Sequence, residues 1–256
     1  MKIGKRSLWQ FKERALDLNS YASILRFFQV HEYPVKAIVN EVFSRGKYPC
    51  TISIKTPLGS QKVNLFSVAD FSTLNLIFCR QDYYVPKQLS TIIDIGSNIG
   101  LSTLYWLTRN HESFVYCYEP SPISLERLNE NLSSFSNRYS VTQAAVSDYT
   151  GSGILGLEET GVCSSLDLKS EKSVECEVIH INEILESAIS KHDRIDVLKI
   201  DSEGHEVRTL KAIDKSFYPH ISVINVEYCQ AQQYIPKDLN YQYSFKSFAE
   251  RFVREP

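Results

Sequence analysis

The chain has 256 residues, enough for one large domain or for a domain with an appendage. Apolar residues make up 43%, with 15 Tyr and 13 Phe, which supports a sizeable core and argues against wholesale disorder. The formal net charge of -2 gives no global basic footprint, so nucleic acid is not an expected partner.

Residues 1–28 hold no apolar stretch long enough for a signal peptide or a membrane span, and alternate charge with aliphatic side chains. Leu8 to Phe28 predicts an amphipathic helix, in one piece or two. Its apolar stripe packs on the same domain or serves a partner, such as a second copy in a homodimer. Six cysteines, at 50, 79, 117, 163, 176 and 229, fit no zinc-type or thioredoxin-type spacing. They read as reduced thiols of a cytoplasmic protein, packed as small hydrophobes. "CTISIKTP" and "QKVNLFSV" alternate around Pro-Leu-Gly-Ser and predict a β-hairpin. Asp70 to Arg80 follows as a short helix. Residues 1–90 thus form a helical segment and hairpin expected to pack on a core of residues 91–256.

From Thr91 the pattern becomes strand, turn, helix, repeated. "TIIDI" is a strand and Ile99 to Thr108 a helix. "SFVYCYE" is a second strand, and Ser121 caps a helix through Phe135 with Pro122 in its first turn. "SVTQAAV" is a third strand. Residues 150–180 are an irregular β excursion, and Ile181 to Lys191 a helix. "IDVLKID" is a fourth strand, Glu206 to Ile213 a helix, and "ISVINVE" a fifth strand. "YSFKSFAERFVRE" reads as helix-like. Apolar strands alternating with helices predict an α/β fold with a mostly parallel central sheet and helices on both faces. Ligands of such sheets bind beyond the carboxyl ends of the strands, where Asp94 to Gly100, Glu119, Ser147, Asp201 to His205 and Glu227 fall.

The first of these turns, "DIGSNIG", is informative. A dinucleotide turn wants G-x-G-x-x-G, but here the glycines are Gly96 and Gly100. Asp94 would also oppose a pyrophosphate. A cofactor bearing positive charge reverses that sign. S-adenosylmethionine carries a sulfonium and an ammonium and no phosphate, and a carboxylate can accept charge-assisted hydrogen bonds from it, directly or through water. Glu119, at the end of the second strand, suits the two ribose hydroxyls of an adenosine.

Together "IIDIGSNIGLSTLY", "YEPSPISLERLNENL", "AAVSDYTGSGIL" and "LKIDSEGHEVRTLKA" resemble the FkbM family of S-adenosylmethionine-dependent methyltransferases. The similarity covers roughly residues 60–230. It implies a Rossmann-like class I methyltransferase fold. By this resemblance Asp94, Gly96, Asn98 and Gly100 wrap the methionine end, and Glu119 holds the ribose. Val146 and Ser147 lie along the adenine, and Tyr83 or Tyr84 closes over the cofactor. Ser97 and Pro120 complete the cofactor set. Two departures stand out. Asn182 falls where the family has an Asp, and is expected to cap the helix that follows. Family members also continue into a helix and a final strand pair, which leaves open what covers the edge of the sheet here.

"KIDSEGHE" places Asp201, Glu203, His205 and Glu206 within six residues, with Gly204 permitting a close turn. Methyl transfer needs nucleophile, methyl and sulfur in line, and an alcohol must also lose its proton. Asp201 is the residue expected to face the donor methyl. Glu203 and His205 compete as the base, the plain alternative for His205 being a surface residue at a helix start. Glu206 suits the positive end of the helix. No second acid-rich cluster is visible, so no metal is expected.

The acceptor is expected to be a small molecule or glycan. The resemblance implies a hydroxyl of a sugar, glycan or secondary metabolite. Glu227 and Tyr228, ending the fifth strand, are placed in its site, with the tyrosine-rich segment through Tyr243 closing over it. Two alternatives stay open: a cofactor-binding but inactive partner protein, and an N-methyltransferase acting on a small molecule or protein.

Overall fold

The computed structural model of the protein describes residues 2–3, 6–7, 18–42, 47–83, 86, 89–156, 166, 170, 172–227, 229–246 and 249–254. It forms two compact units, Met1–Gln81 and Asp82–Pro256. In the first, helices α1 (Leu18–Val30) and α2 (Pro34–Val42) precede an antiparallel hairpin of β1 (Cys50–Thr56) and β2 (Gly59–Leu65). The helix expected from Leu8 is thus described from Leu18, and α2 is additional. Thr56 pairs with Gly59 across a two-residue loop, and Gly59 takes φ 101°, which glycine adopts freely. The short helix expected near Asp70 is α3 (Val68–Leu74), continued by a π turn over Asn75–Cys79. Ser67 caps it by accepting from the Asp70 amide, while the Asp70 carboxylate accepts from the Ser67 amide.

The second unit is built on a seven-stranded sheet. Its strands are β3 (Thr91–Ile95), β4 (Phe114–Tyr118), β5 (Tyr139–Thr142), β9 (Ile195–Ile200), β10 (Ile221–Glu227), β11 (Tyr241–Lys246) and β12 (Ala249–Arg254). The order is β11-β12-β10-β9-β3-β4-β5. β5, β4, β3, β9 and β10 run parallel, β12 pairs antiparallel with β10, and β11 pairs antiparallel with β12. Helices α4 (Leu101–Leu107), α5 (Pro122–Asn131), α6 (Ile181–His192) and α7 (Glu206–Ala212) connect the strands. β3 and β9 are buried at every residue, as central parallel strands are. Ile93, Ile95, Leu198, Ile200, Ile224, Val226 and Phe252 form one core cluster on one face of the sheet.

Three expectations are corrected. "SVTQAAV" is not one strand. Thr142 ends β5, and Ala144 opens β6 (Ala144–Ser147), which joins a separate sheet with β8 (Ser173–His180) and β7 (Gly151–Gly156). The cap of α6 is His180, whose Nδ1 accepts from the Asn182 amide at 3.1 Å, while Asn182 accepts from the Asp214 amide. The helix-like tail is the β11–β12 hairpin: it covers the edge of β10, whose free N–H and C=O groups are the partner that decides against helix. Among the described residues no helix is long and apolar enough to cross a membrane. Five cysteines are described, all as free thiols, with Cys79, Cys117 and Cys176 buried; Cys163 lies outside the described residues.

Candidate functional site

The order β9-β3-β4 puts the topological switch point between β3 and β9. Their two turns meet there. The Asp201 amide donates to Ile95 O at 3.2 Å. A Cβ on Gly96, whose φ is 73°, would lie 1.7 Å from the Asp201 carbonyl oxygen, so only glycine fits this crossing.

Strand alternation sends Asp94, Lys199, Asn225 and Arg251 to the face opposite the core cluster. Register sets them in one row across β3, β9, β10 and β12. Asp94 is fully buried, and both its oxygens are engaged. Oδ2 accepts from Ser102 at 2.6 Å and Thr103 at 2.7 Å, and Oδ1 lies 3.2 Å from Lys199 Nζ. Its carboxylate therefore faces α4 and the lysine. Lys199 donates to Gly96 O at 2.6 Å and Ile95 O at 3.2 Å, and lies 3.2 Å from Asp201 Oδ2. Burial opposes its charge, but Asp201 and Asp94 outweigh that and hold its pKa well above the ordinary lysine value.

The turn after β3 is pinned to β4: the Gly96 and Ser97 amides donate to Tyr118 O, at 2.9 and 3.3 Å. Gly96, Asn98 and Gly100 have φ of 73°, 47° and 83°. Glu119, just past β4, binds the turn: Oε2 accepts from the Asn98 amide and Oε1 from the Ser121 amide, both at 2.9 Å. Burial pushes its pKa up to about 7 against those two hydrogen bonds. Pro120 beside it is half-buried, and Ser97 is buried with its hydroxyl donating to Asp94 O. Tyr83 donates to Asp201 Oδ2 at 3.3 Å, its ring 5.7 Å from that of Trp106. Tyr84 and Tyr228 lie outside the described residues.

The turn after β9 is crowded with acid. Glu203, at φ 51°, and Gly204, at φ 110°, fold it tightly. Glu206 accepts from the Ser202 amide at 2.7 Å and the Gly204 amide at 3.0 Å. Burial first, then Asp201 and Glu206, push Glu203 up to about 7. Burial first, then Asp201, Glu203 and Glu206, push Glu227 up to about 8. Asp201, Glu206 and Glu227 each bring an oxygen within 4.8 Å of the others. Sequence showed no second acid cluster to accompany Asp201, and the fold adds one further acid to that turn, Glu227 at the end of β10.

His205 is neither on the surface nor on the rim. It is 2% exposed, and its Nδ1 lies 2.9 Å from Ser147 Oγ, which joins two residues expected to have separate roles. Val146 sits in the core cluster. The tail tyrosines are on the other face: Tyr241 donates to Tyr218 O and Ile221 O, and Tyr243 packs 5.3 Å from Phe252. They line a cleft of about 720 Å³ together with Gln230, Gln233 and Lys237. Lys199 and Asn225 were missed. The signal was present: each is a polar residue set between two apolar neighbours inside a central strand, Lys199 between Leu198 and Ile200 and Asn225 between Ile224 and Val226.

A sequence model of the methyltransferase FkbM domain matches residues 94–250, from the buried turn acid to the final hairpin. The chain belongs to this FkbM family. Methyltransferase 1 of Beauveria bassiana (strain ARSEF 2860) is 24% identical over 167 residues, covering 56% of this chain and 66% of that protein. Hexuronic acid methyltransferase AglP of Haloferax volcanii is 29% identical over 122 residues, covering 47% of this chain and 48% of that protein. The chain thus spans just under two thirds and about half of the lengths of these curated relatives. Methyltransferase FkbM from Methylobacillus flagellatus KT shares the fold, with a TM-score of 0.50 at 15% identity over 70% of this chain and 47% of that one. The Rossmann-like architecture expected of the family is the one observed.

Proposed function

We propose that this protein is an S-adenosylmethionine-dependent methyltransferase that methylates a hydroxyl oxygen of a sugar, glycan or secondary metabolite. The observation that carries this is the charge of the switch point. Asp201, Glu206 and Glu227 each bring an oxygen within 4.8 Å of the others, and the charges that raise Glu203 and Glu227 are carboxylates opposed by Lys199. Lys199 is itself spent on Asp94, Asp201 and two carbonyls. Such a rim repels a pyrophosphate and suits a sulfonium and an ammonium. Family membership and the Haloferax relative's hexuronic acid chemistry support the donor and the acceptor class respectively.

In this proposal the Gly96–Gly100 turn holds the methionine end, Asp201 faces the donor methyl, and Glu119 accepts from the ribose hydroxyls with its remaining lone pairs. Bound there, S-adenosylmethionine supplies a methyl group activated by positively charged sulfur. Lys199 and Tyr83 fix Asp201 Oδ2 at 3.2 and 3.3 Å, which orients that carboxylate. Glu203, half-buried on the same turn, takes the hydroxyl proton at its carboxylate. His205 is left to support the turn through Ser147, because its Nδ1 is already engaged.

Calorimetry tests the donor half. S-adenosylmethionine and S-adenosylhomocysteine should bind at micromolar level, roughly -7 to -8 kcal/mol. No heat from well-folded protein would sink it. Isotope-labelled donor incubated with cell extract tests the acceptor half. Mass spectrometry should find the label as an O-methyl ether, and label found only on nitrogen would replace oxygen as the acceptor atom.

A further inference from the structure

The edge of the sheet carries a cleft that the proposed reaction does not use. Its volume is about 720 Å³, within the range of small-ligand sites and large enough for more than one sugar ring. One side of it is aromatic. Tyr243, on the outer strand β11, is opposite Phe252 on β12, and their rings lie 5.3 Å apart. Tyr241 lies two residues earlier on the same strand face. Its hydroxyl is spent on Tyr218 O and Ile221 O, so it offers the cleft mainly its ring. Tyr243 is 39% exposed. The other side is made of amides. A single-turn 3₁₀ helix over Ala231–Gln233 brings Gln230, Gln232 and Gln233 to the lining, all three exposed. That turn is anchored. Ala231 is fully buried, and its amide donates to Glu250 Oε2 at 2.6 Å, as the Cys229 amide does at 3.2 Å. Glu250 itself is 1% exposed. Lys237 is therefore the exposed charge of the lining, and its acidic neighbour Asp238 lies 3.8 Å from Lys215 instead.

We infer that this cleft binds an acidic oligosaccharide, one whose sugar rings carry carboxylates, at a site separate from that of methyl transfer. Three chemistries coincide in it. Sugar rings present flat C–H faces, which pack on aromatic rings. Their hydroxyls both donate and accept, and so does the primary amide of Gln. Gln233 gives one N–H to Gln230 O at 3.2 Å and keeps its other groups for a ligand. The Lys237 ammonium meets a carboxylate with a charge-assisted hydrogen bond. An acidic peptide would satisfy the lysine, but lacks the dense hydroxyls that three neighbouring amides match. Register separates the cleft from the acid rim. Tyr243, Phe252 and Glu250 alternate to the face of the core cluster, whereas Lys199 and Asn225 take the opposite face. The two places are still near each other, because Gln230 is three residues beyond Glu227, a span of at most about 11 Å. If the acceptor is a glycan as proposed above, the cleft would hold a unit of it beyond the one methylated. Saccharide binding itself does not depend on that proposal.

The test is calorimetry on the full chain with saccharide alone. No methyl donor is present, so failure here and failure of donor binding are separate results. The probes are tetragalacturonic acid and the tetramer of glucuronic acid with the cellulose linkage, each against the neutral tetramer of the same configuration and linkage. At least one acidic tetramer should bind saturably, and at least about tenfold tighter than its neutral counterpart, the factor a charged hydrogen bond supplies. Lys237→Met should erase that preference, weakening the acidic tetramer about tenfold and leaving the neutral one unchanged. Tyr243→Ala should weaken both by about tenfold, because both pack on the ring. Both positions are exposed, so both variants should fold with an unaltered unfolding temperature. Lys55→Met, in the hairpin of the first unit, should change nothing. No saturable binding, equal affinity for acidic and neutral tetramers, or unchanged affinity in either Lys237→Met or Tyr243→Ala overturns the inference. So does a tetraglutamate peptide that binds as tightly as the acidic tetramer, which would give the cleft to acidic peptides.

Discussion

The turn after β3 and the turn after β9 touch each other, yet they handle charge in opposite ways. Asp94 is fully buried, with both oxygens taken by Ser102, Thr103 and Lys199. Asp201 is a quarter exposed, shares the same lysine, and crowds against Glu203, Glu206 and Glu227. A buried acid with matched donors builds structure, and removing its counter-charge leaves an uncompensated ion. A rim acid among like charges is held in an unfavourable setting that a positively charged ligand relieves. Lys199 joins the two regimes, since its ammonium lies 3.2 Å from each of the two aspartates.

The contrast breaks or sharpens under substitution. Lys199→Met strands Asp94 in the interior and should cost about 3–5 kcal/mol in urea unfolding. Asp201→Asn should cost about 1 kcal/mol or less, because water reaches that carboxylate. Equal losses would erase the distinction between the turns. Asp201→Asn should act on chemistry instead: turnover on the true acceptor should fall at least about 100-fold, with donor affinity little changed. Unaltered turnover would move the reaction away from this turn.

Glu119 is intermediate, being buried like Asp94 yet proposed to face a ligand. Glu119→Ala should weaken S-adenosylhomocysteine by about 1.5–3 kcal/mol in calorimetry, whereas a purely structural acid would lower stability and spare affinity. The smallest effect is with pH. Burial raises Glu119 from 4.5 to about 7 in the fold. The ribose hydroxyls need the carboxylate, so donor affinity should be level above about pH 7 and fall below it, by at most about tenfold per unit. For stability the sign is opposite. The folded state holds this proton more tightly, so its stabilising share is present below 4.5 and is lost as pH rises through about 7. Titrations at several pH values should show a slope in the wild type that flattens in Glu119→Gln.

Much of this was legible from sequence because it is local. The run of Ile around Asp94 marks a buried parallel strand, Ser121-Pro122 a helix start, and Pro-Leu-Gly-Ser a hairpin loop, each fixed by neighbours a few residues away. The spacing of Gly96 and Gly100 after an acid excluded a dinucleotide turn, and with the other motifs pointed to the FkbM family. The failures share a cause. The tail from Tyr241 became a hairpin because the edge of β10 supplied hydrogen bonds to Ala249–Val253 from 22 to 30 residues upstream. "SVTQAAV" divided because two sheets competed for it. His205, open to solvent in any local view, is buried and meets Ser147 from 58 residues away. The row Asp94, Lys199, Asn225, Arg251 exists only in the register of four strands, and a slip of one residue would turn any of them to the opposite face. The chain by itself determined which residues carry charge and which turns can hold a ligand. Only the tertiary structure decided which of those charges are neutralised from within and which are left facing a partner, because that depends on distances between strands far apart in sequence.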